Sequence, residues 1–225
     1  MSSLTDILGS YKEFSQVIVN SKSFKRLDFS ISNPTLLQRD LSDTKIFTDY
    51  IFEELLSNNS LIGVGGYEEN RVIYRQREHF TNEKNPRCIH LGTDIWTNAG
   101  EIIYSPHDAV VHSFAFNNQY GDYGPTIILK HELEGFTFYT LYGHLSLDSL
   151  EGLFVGKQIS SGEKFARIGA YPINGDWPPH LHFQIISEIG EYKGDFPGVC
   201  SIPDREYYLK ICPDSNLILR IGENF

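Results

Sequence analysis

The chain has 225 residues, 40% of them apolar and 13% aromatic, with a formal net charge of −10. That length and apolar content support a packed core with an appendage and exclude a disordered chain. The charge argues against nucleic acid, whose binding rests on neutralising phosphates with Lys and Arg, and offers no attraction to anionic membranes or wall polymers.

Residues 1–16 include Asp6, Lys12 and Glu13 and contain neither a basic leader nor an unbroken apolar run, so they do not read as a secretory signal. No run reaches the length a membrane span needs. Apolar residues at helix-like spacing predict a helix over 4–17, and alternation over 26–32 predicts a short strand. A clearer helix is expected over 43–57, where Phe47, Tyr50, Ile51, Leu55 and Leu56 form a stripe. Ser42 or Asp43 can cap its start and Asn58-Asn59 can end it. Residues 1–61 therefore read as a helical N-terminal appendage on a domain spanning 62–225.

From residue 62 onward, short runs rich in Val, Ile, Phe, Tyr and Thr alternate with Gly, Asn and Pro turns. The strands expected are 102–104, 109–116, 126–130, 136–141, 164–168 and 182–186, with tight turns at Gly156, Gly162 and Gly169. No long helix interrupts them. The fold class is mainly β, an antiparallel sandwich or barrel-like hybrid with the small helical appendage. Residues 206–209 read as a helix turn and 216–221 as a last strand or extended segment. Cys88, Cys200 and Cys212 are an odd number, which is no disulfide framework. Cys88 reads as a buried thiol rather than a ligand, and reduced thiols fit a cytoplasmic protein, with non-classical export left open.

Three histidine motifs carry the chemistry: His90-Leu91-Gly92-Thr93-Asp94, Gly143-His144-Leu145 and His180-Leu181-His182. Residues i and i+2 of a strand share a face, so His180 and His182 project together while Leu181 turns into a core. Gly92 fits a bend between His90 and Asp94 because glycine accepts backbone angles that other residues avoid. The set supplies two nitrogens and one carboxylate oxygen for a metal, plus two histidines to move protons. Three protein ligands and an open fourth position is the arrangement of a catalytic zinc.

These motifs resemble the lysostaphin-type (LytM-type, M23) zinc metallopeptidases. The likeness runs from about Gly65 to about Glu188 and takes in Ser105-Pro106-His107-Asp108-Ala109-Val110-Val111, the run from Gly121 to His131, Tyr139-Thr140-Leu141-Tyr142-Gly143-His144-Leu145 and the glycine-spaced run from Val155 to Glu163. The resemblance implies that His90, Asp94 and His182 ligate Zn²⁺ and that His144 and His180 are the catalytic histidines. It implies a metallo-endopeptidase acting on peptidoglycan-type or related peptides. One histidine would take a proton from zinc-activated water while the other hydrogen-bonds the tetrahedral oxyanion. The alternative is a non-catalytic regulatory or binding module, but degenerate regulators lose ligands and this chain keeps all five positions. The loop Gly169-Ala170-Tyr171-Pro172-Ile173-Asn174-Gly175-Asp176-Trp177-Pro178-Pro179 departs from the family's Gly- and Ser-rich pattern.

The remaining histidines, His79, His107, His112 and His131, read as surface groups or supports of a ligand. Arg71, Arg75 and Arg77 read as solvating a strand rather than gripping a substrate carboxylate. Tyr123 and Tyr142 can line the cleft, although tyrosine in β proteins is usually packing. The sequence does not give the oligomeric state.

Overall fold

The computed structural model describes residues 3–19, 23–57, 61–81 and 84–222. Strands dominate it. They are β1 (Ser23–Leu27), β2 (Leu61–Gly65), β3 (Arg87–His90), β4 (Thr93–Trp96), β5 (Ile102–Tyr104), β6 (Ala109–Asn117), β7 (Gly124–Leu133), β8 (Phe136–Gly143), β9 (Gln158–Ile159), β10 (Lys164–Arg167), β11 (His180–Ile186) and β12 (Val199–Ser201). The main sheet runs β1-β2-β4-β11-β8-β7-β6-β9, and the pairs β10-β5 and β12-β3 form two small sheets. Every strand pairing is antiparallel except the parallel pairing of β1 with β2. The large sheet is therefore mixed, and it does not close into a barrel.

β6, β7 and β8 form a meander whose second turn, Glu134-Gly135, has positive φ at both central residues. That is the backbone which a two-residue hairpin requires if its twist is to match the strands. Along β11 the side chains alternate as expected. Leu181, Phe183 and Ile185 are buried in the principal core with Ile95, Ile127, Leu129 and Tyr142, while the even-numbered residues take the other face.

Among the described residues the α-helices are α1 (Leu4–Ser10), α2 (Thr44–Asp49), α3 (Glu78–Thr81), α4 (Arg205–Ile211) and α5 (Asn216–Leu219). Among the described residues, no helix is long and apolar enough to cross a membrane. The first helix is shorter than its expected span. Ser3 and Asp6 form a reciprocal capping box at its start, but after Ser10 the chain extends. There the Ser15 amide donates to the Pro106 carbonyl and the Tyr104 amide to the Val17 carbonyl, so pairing beside β5 outcompetes the helix. The strand expected at 26–32 lies earlier, as β1. α2 starts where expected, with the Asp43 side chain accepting from the Ile46 amide at 2.9 Å, and continues as a π-helical segment, Tyr50–Leu55. Asn58-Asn59, the expected stop, lies outside the described residues.

The segment 216–221 corrects the expectation of a strand. It begins with α5, whose Asn216 amide is held by the Asp214 carboxylate at 2.8 Å, and Ile218 is buried in the principal core. A short apolar run does not by itself tell helix from strand; the Asp214-Ser215 start decides it.

His131 is another correction. It lies neither at the surface nor beside a ligand. Its ring stacks on Phe138 with centroids 4.8 Å apart. Its Nδ1–H donates to the Asp108 carbonyl at 3.1 Å and the Thr140 hydroxyl donates to Nε2 at 2.8 Å. Burial pushes its pKa down to about 4. Between that value and the ordinary 6.5 the unfolded chain binds a proton that the folded chain refuses. Stability is therefore full above pH 6.5 and is lost as the pH falls toward 4, by about 3 kcal/mol for such a shift. Urea midpoints of the wild type should fall across this range, and His131→Leu should flatten that part of the fall.

Candidate metal centre

His90 ends β3 and Asp94 sits on β4, joined by the turn Leu91-Gly92. Gly92 is required there, though not for an unusual backbone angle: a Cβ would lie 2.6 Å from the Phe183 carbonyl oxygen and 2.8 Å from the His182 ring. The register of β11 against β4 places His182 opposite Asp94 and His180 opposite Trp96. Three atoms converge. His90 Nε2 and His182 Nδ1 are 3.0 Å apart, and Asp94 Oδ1 lies 3.1 Å from the first and 3.0 Å from the second. Cys88 is not among them; it is a free, buried thiol, like Cys200 and Cys212.

The far side of each ring shows what these atoms offer. The Gly66 carbonyl sits 2.9 Å from His90 Nδ1 and can only accept, so Nδ1 carries the proton. Gln184 Oε1 lies 2.9 Å from His182 Nε2. The Gln184 amide nitrogen donates to the Pro197 carbonyl at 3.1 Å, which fixes the amide's orientation and makes Nε2 the protonated nitrogen. Two imidazole lone pairs and a carboxylate oxygen thus point at one another with no proton between them. Burial, followed by the Arg71 charge, pushes His90 down to about 4 and keeps it neutral. Burial opposes the charge on Asp94, but the buried Arg71 guanidinium paired with it holds the carboxyl well below its usual range.

Such an arrangement is repulsive unless a cation lies among the three atoms. It fits zinc, which takes neutral imidazole and carboxylate, with the other ring N–H given to an acceptor. Donors at the usual zinc bond lengths would stand about 3.3 Å apart in a tetrahedron, close to the separations seen here.

His144 and His180 stand beside this triangle, their ring centroids 4.2 Å apart. His144 has a φ of +62°, a conformation that L residues seldom adopt and that functional sites tolerate. It is held by hydrogen bonds from its amide to the Tyr123 carbonyl and from the Gly169 amide to its own carbonyl. Its Nδ1–H donates to the Asn174 carbonyl at 2.8 Å, and that of His180 to the Pro178 carbonyl at 2.8 Å. Both acceptors belong to the loop that departs from the family pattern. The His180 ring also lies flat on Trp96, 4.0 Å between centroids at 17°. Burial lowers both histidines, His180 to about 4 and His144 well below its ordinary value with help from its neighbour. Each therefore offers a neutral Nε2 lone pair to a cleft of about 250 Å³, which Asp94 and His182 also line.

The two tyrosines divide between the readings open to them, and the reading of the arginines needs correction. Tyr142 is core packing, but Tyr123 lines the cleft, its hydroxyl 3.4 Å from His182 Nε2. Arg71 and Arg77 solvate nothing, for both are buried. Arg71 pairs with Asp94 and Glu69. Arg77 stacks over Trp177 at 3.7 Å from the ring centroid and donates to the Asp176 carbonyl at 3.1 Å, pinning the loop that holds the two histidines. Gln184 went unread, yet the period of two that pairs His180 with His182 carries on to it.

The buried cluster of two histidines and one carboxylate could hold a metal ion, and two more histidines stand alongside it. Residues 88–193 match the model of peptidase family M23. Among solved structures, the chain is similar to a zinc containing peptidase from Vibrio cholerae (26% identity, 44% of this chain and 27% of that one, TM-score 0.33). It is also similar to the catalytic domain of the antimicrobial peptidase lysostaphin from Staphylococcus simulans (22% identity, 54% and 80%, TM-score 0.37). A third is Helicobacter pylori Csd3 (25% identity, 56% and 32%, TM-score 0.35). The chain thus spans about a quarter of the Vibrio chain and a third of the Helicobacter one. No curated protein sequence matches it.

Proposed function

We propose that the protein is a zinc-dependent endopeptidase that cuts peptide bonds in peptidoglycan-type or related peptides. The observation that carries the reading is the convergence of His90 Nε2, Asp94 Oδ1 and His182 Nδ1 within 3.0–3.1 Å, with both ring protons turned away. These three residues would hold the metal. Zinc, when bound, supplies a Lewis acid that acidifies water and polarises a carbonyl.

The chain's own groups do the rest. His144 and His180, their Nδ1 protons committed to backbone carbonyls, can only accept at Nε2 while neutral. The ring that takes the proton of the attacking water becomes the donor that serves the oxyanion and then the leaving amine. Trp96 and the 169–179 loop hold the two rings in place and keep water off their inner faces.

The test is incubation of the zinc-loaded protein with purified peptidoglycan and with a peptide library. New amino termini should appear from the wall polymer, with about one zinc per chain as a mononuclear site requires. A chelator should abolish cleavage and added zinc restore it. Products from soluble peptides alone would move the substrate to the cytosol. A zinc-loaded protein that cleaves neither is a binding module, and the endopeptidase reading fails.

A further inference from the structure

We propose that Arg71 is a positioning residue of the metal centre, holding one oxygen of Asp94 so that the carboxylate meets the metal through the other oxygen alone. The inference rests on the metal reading of the site and not on the substrate.

Arg71 lies outside the family-matched stretch and is fully buried. Its Nη1 engages Asp94 Oδ2 and also lies 3.1 Å from the Tyr74 hydroxyl. Its Nε donates to Glu69 Oε2 at 2.8 Å, and Glu69 Oε1 in turn accepts from the Phe29 amide at 3.0 Å. Gly65 makes room for the guanidinium, since a Cβ there would lie 2.6 Å from Nη2. The segment carrying Arg71 is itself fastened along β3. The Glu68 amide donates to the His90 carbonyl, the His90 amide to the Glu69 carbonyl, and the Arg71 amide to the Cys88 carbonyl. One short segment therefore serves two ligands, turning the His90 ring through the Gly66 carbonyl and Asp94 through Arg71.

The two oxygens of a free carboxylate are equivalent, and one facing a cation can close on it with both. A second oxygen would occupy the position that a catalytic site keeps open. A guanidinium presents fixed, planar donors that are always charged, so it competes for that oxygen at every working pH. Glu69 balances its charge, and the cluster of Asp94, Arg71 and Glu69 is left with the single negative charge that a metal dication needs beside two neutral imidazoles.

Cobalt(II) loaded into the metal-free protein is the probe, because its visible bands are intense when four-coordinate and weak when five-coordinate. Wild type should give intense bands. Arg71→Met, which frees Oδ2, should lose intensity severalfold, and Arg71→Lys, which keeps one charged donor, should retain it. Undiminished bands in Arg71→Met overturn the proposal. Should that variant not fold, X-ray absorption at the zinc edge of the wild type decides: one carboxylate oxygen at bonding distance upholds the proposal and two overturn it. A wild type that binds neither ion removes the metal reading itself, an outcome distinct from failure of Arg71 alone.

Discussion

Asp94→Ala should yield a protein that holds no zinc and, measured metal-free, is less stable than wild type by about 3–5 kcal/mol, the cost of leaving a buried charge without its partner. The two losses have separate causes, one at each oxygen. Oδ1 stands 3.1 Å from His90 Nε2 and 3.0 Å from His182 Nδ1, so its removal leaves two neutral donors for the metal. Oδ2 pairs with Arg71, which is fully buried and would keep only Glu69 as a charged neighbour. His90→Ala separates the effects. It should lose zinc too, but it deletes a neutral ring, and its cost is that of a cavity rather than of an orphaned charge. Metal content by atomic absorption and urea midpoints with chelator present read the two quantities independently, since a bound ion would otherwise add its own stabilisation by mass action. Asp94→Ala that retains stoichiometric zinc, or a metal-free stability equal to that of wild type, would contradict the geometry.

The convergence of His90, Asp94 and His182 was legible because local rules placed its members. A period of two in β11 sends His180 and His182 to one face and Leu181 to the core, and that pattern needs no tertiary information. His90 and Asp94 flank a glycine, which announces a constraint there, although the constraint is the approach of His182 and not a backbone angle. The supports were harder to read. Gly66, Asn174 and Pro178 act through backbone carbonyls, which every residue possesses, so no side chain marks them.

Arg71 left a fainter signal. It precedes Val72, Ile73 and Tyr74, all buried, and a charge set against an apolar run is a candidate for a buried pair. Its partner, 23 residues on, is supplied only by the fold. Helix α1 and segment 216–221 were misjudged because their local patterns were ambiguous: pairing beside β5 ended the first, and the Asp214-Ser215 start made the second a helix.

His144→Ala and His180→Ala should each lower kcat by about 10²- to 10⁴-fold, the range of a lost general acid–base group, while zinc stays bound. The rings lie close enough, 4.2 Å between centroids, that both would not readily carry charge together: burial and then the His180 charge depress His144. On the proposed mechanism one proton would be passed within the pair, each ring depending on the other being ready to receive or to hold. Residues that act as a unit are non-additive, so the double variant should fall little below the worse of the two singles. Zinc content is the control, because neither ring belongs to the 3.0–3.1 Å triangle. Loss of zinc in His144→Ala would show that this ring is a ligand. A double variant that multiplies the two single losses would show two independent tasks, with no proton shared between them.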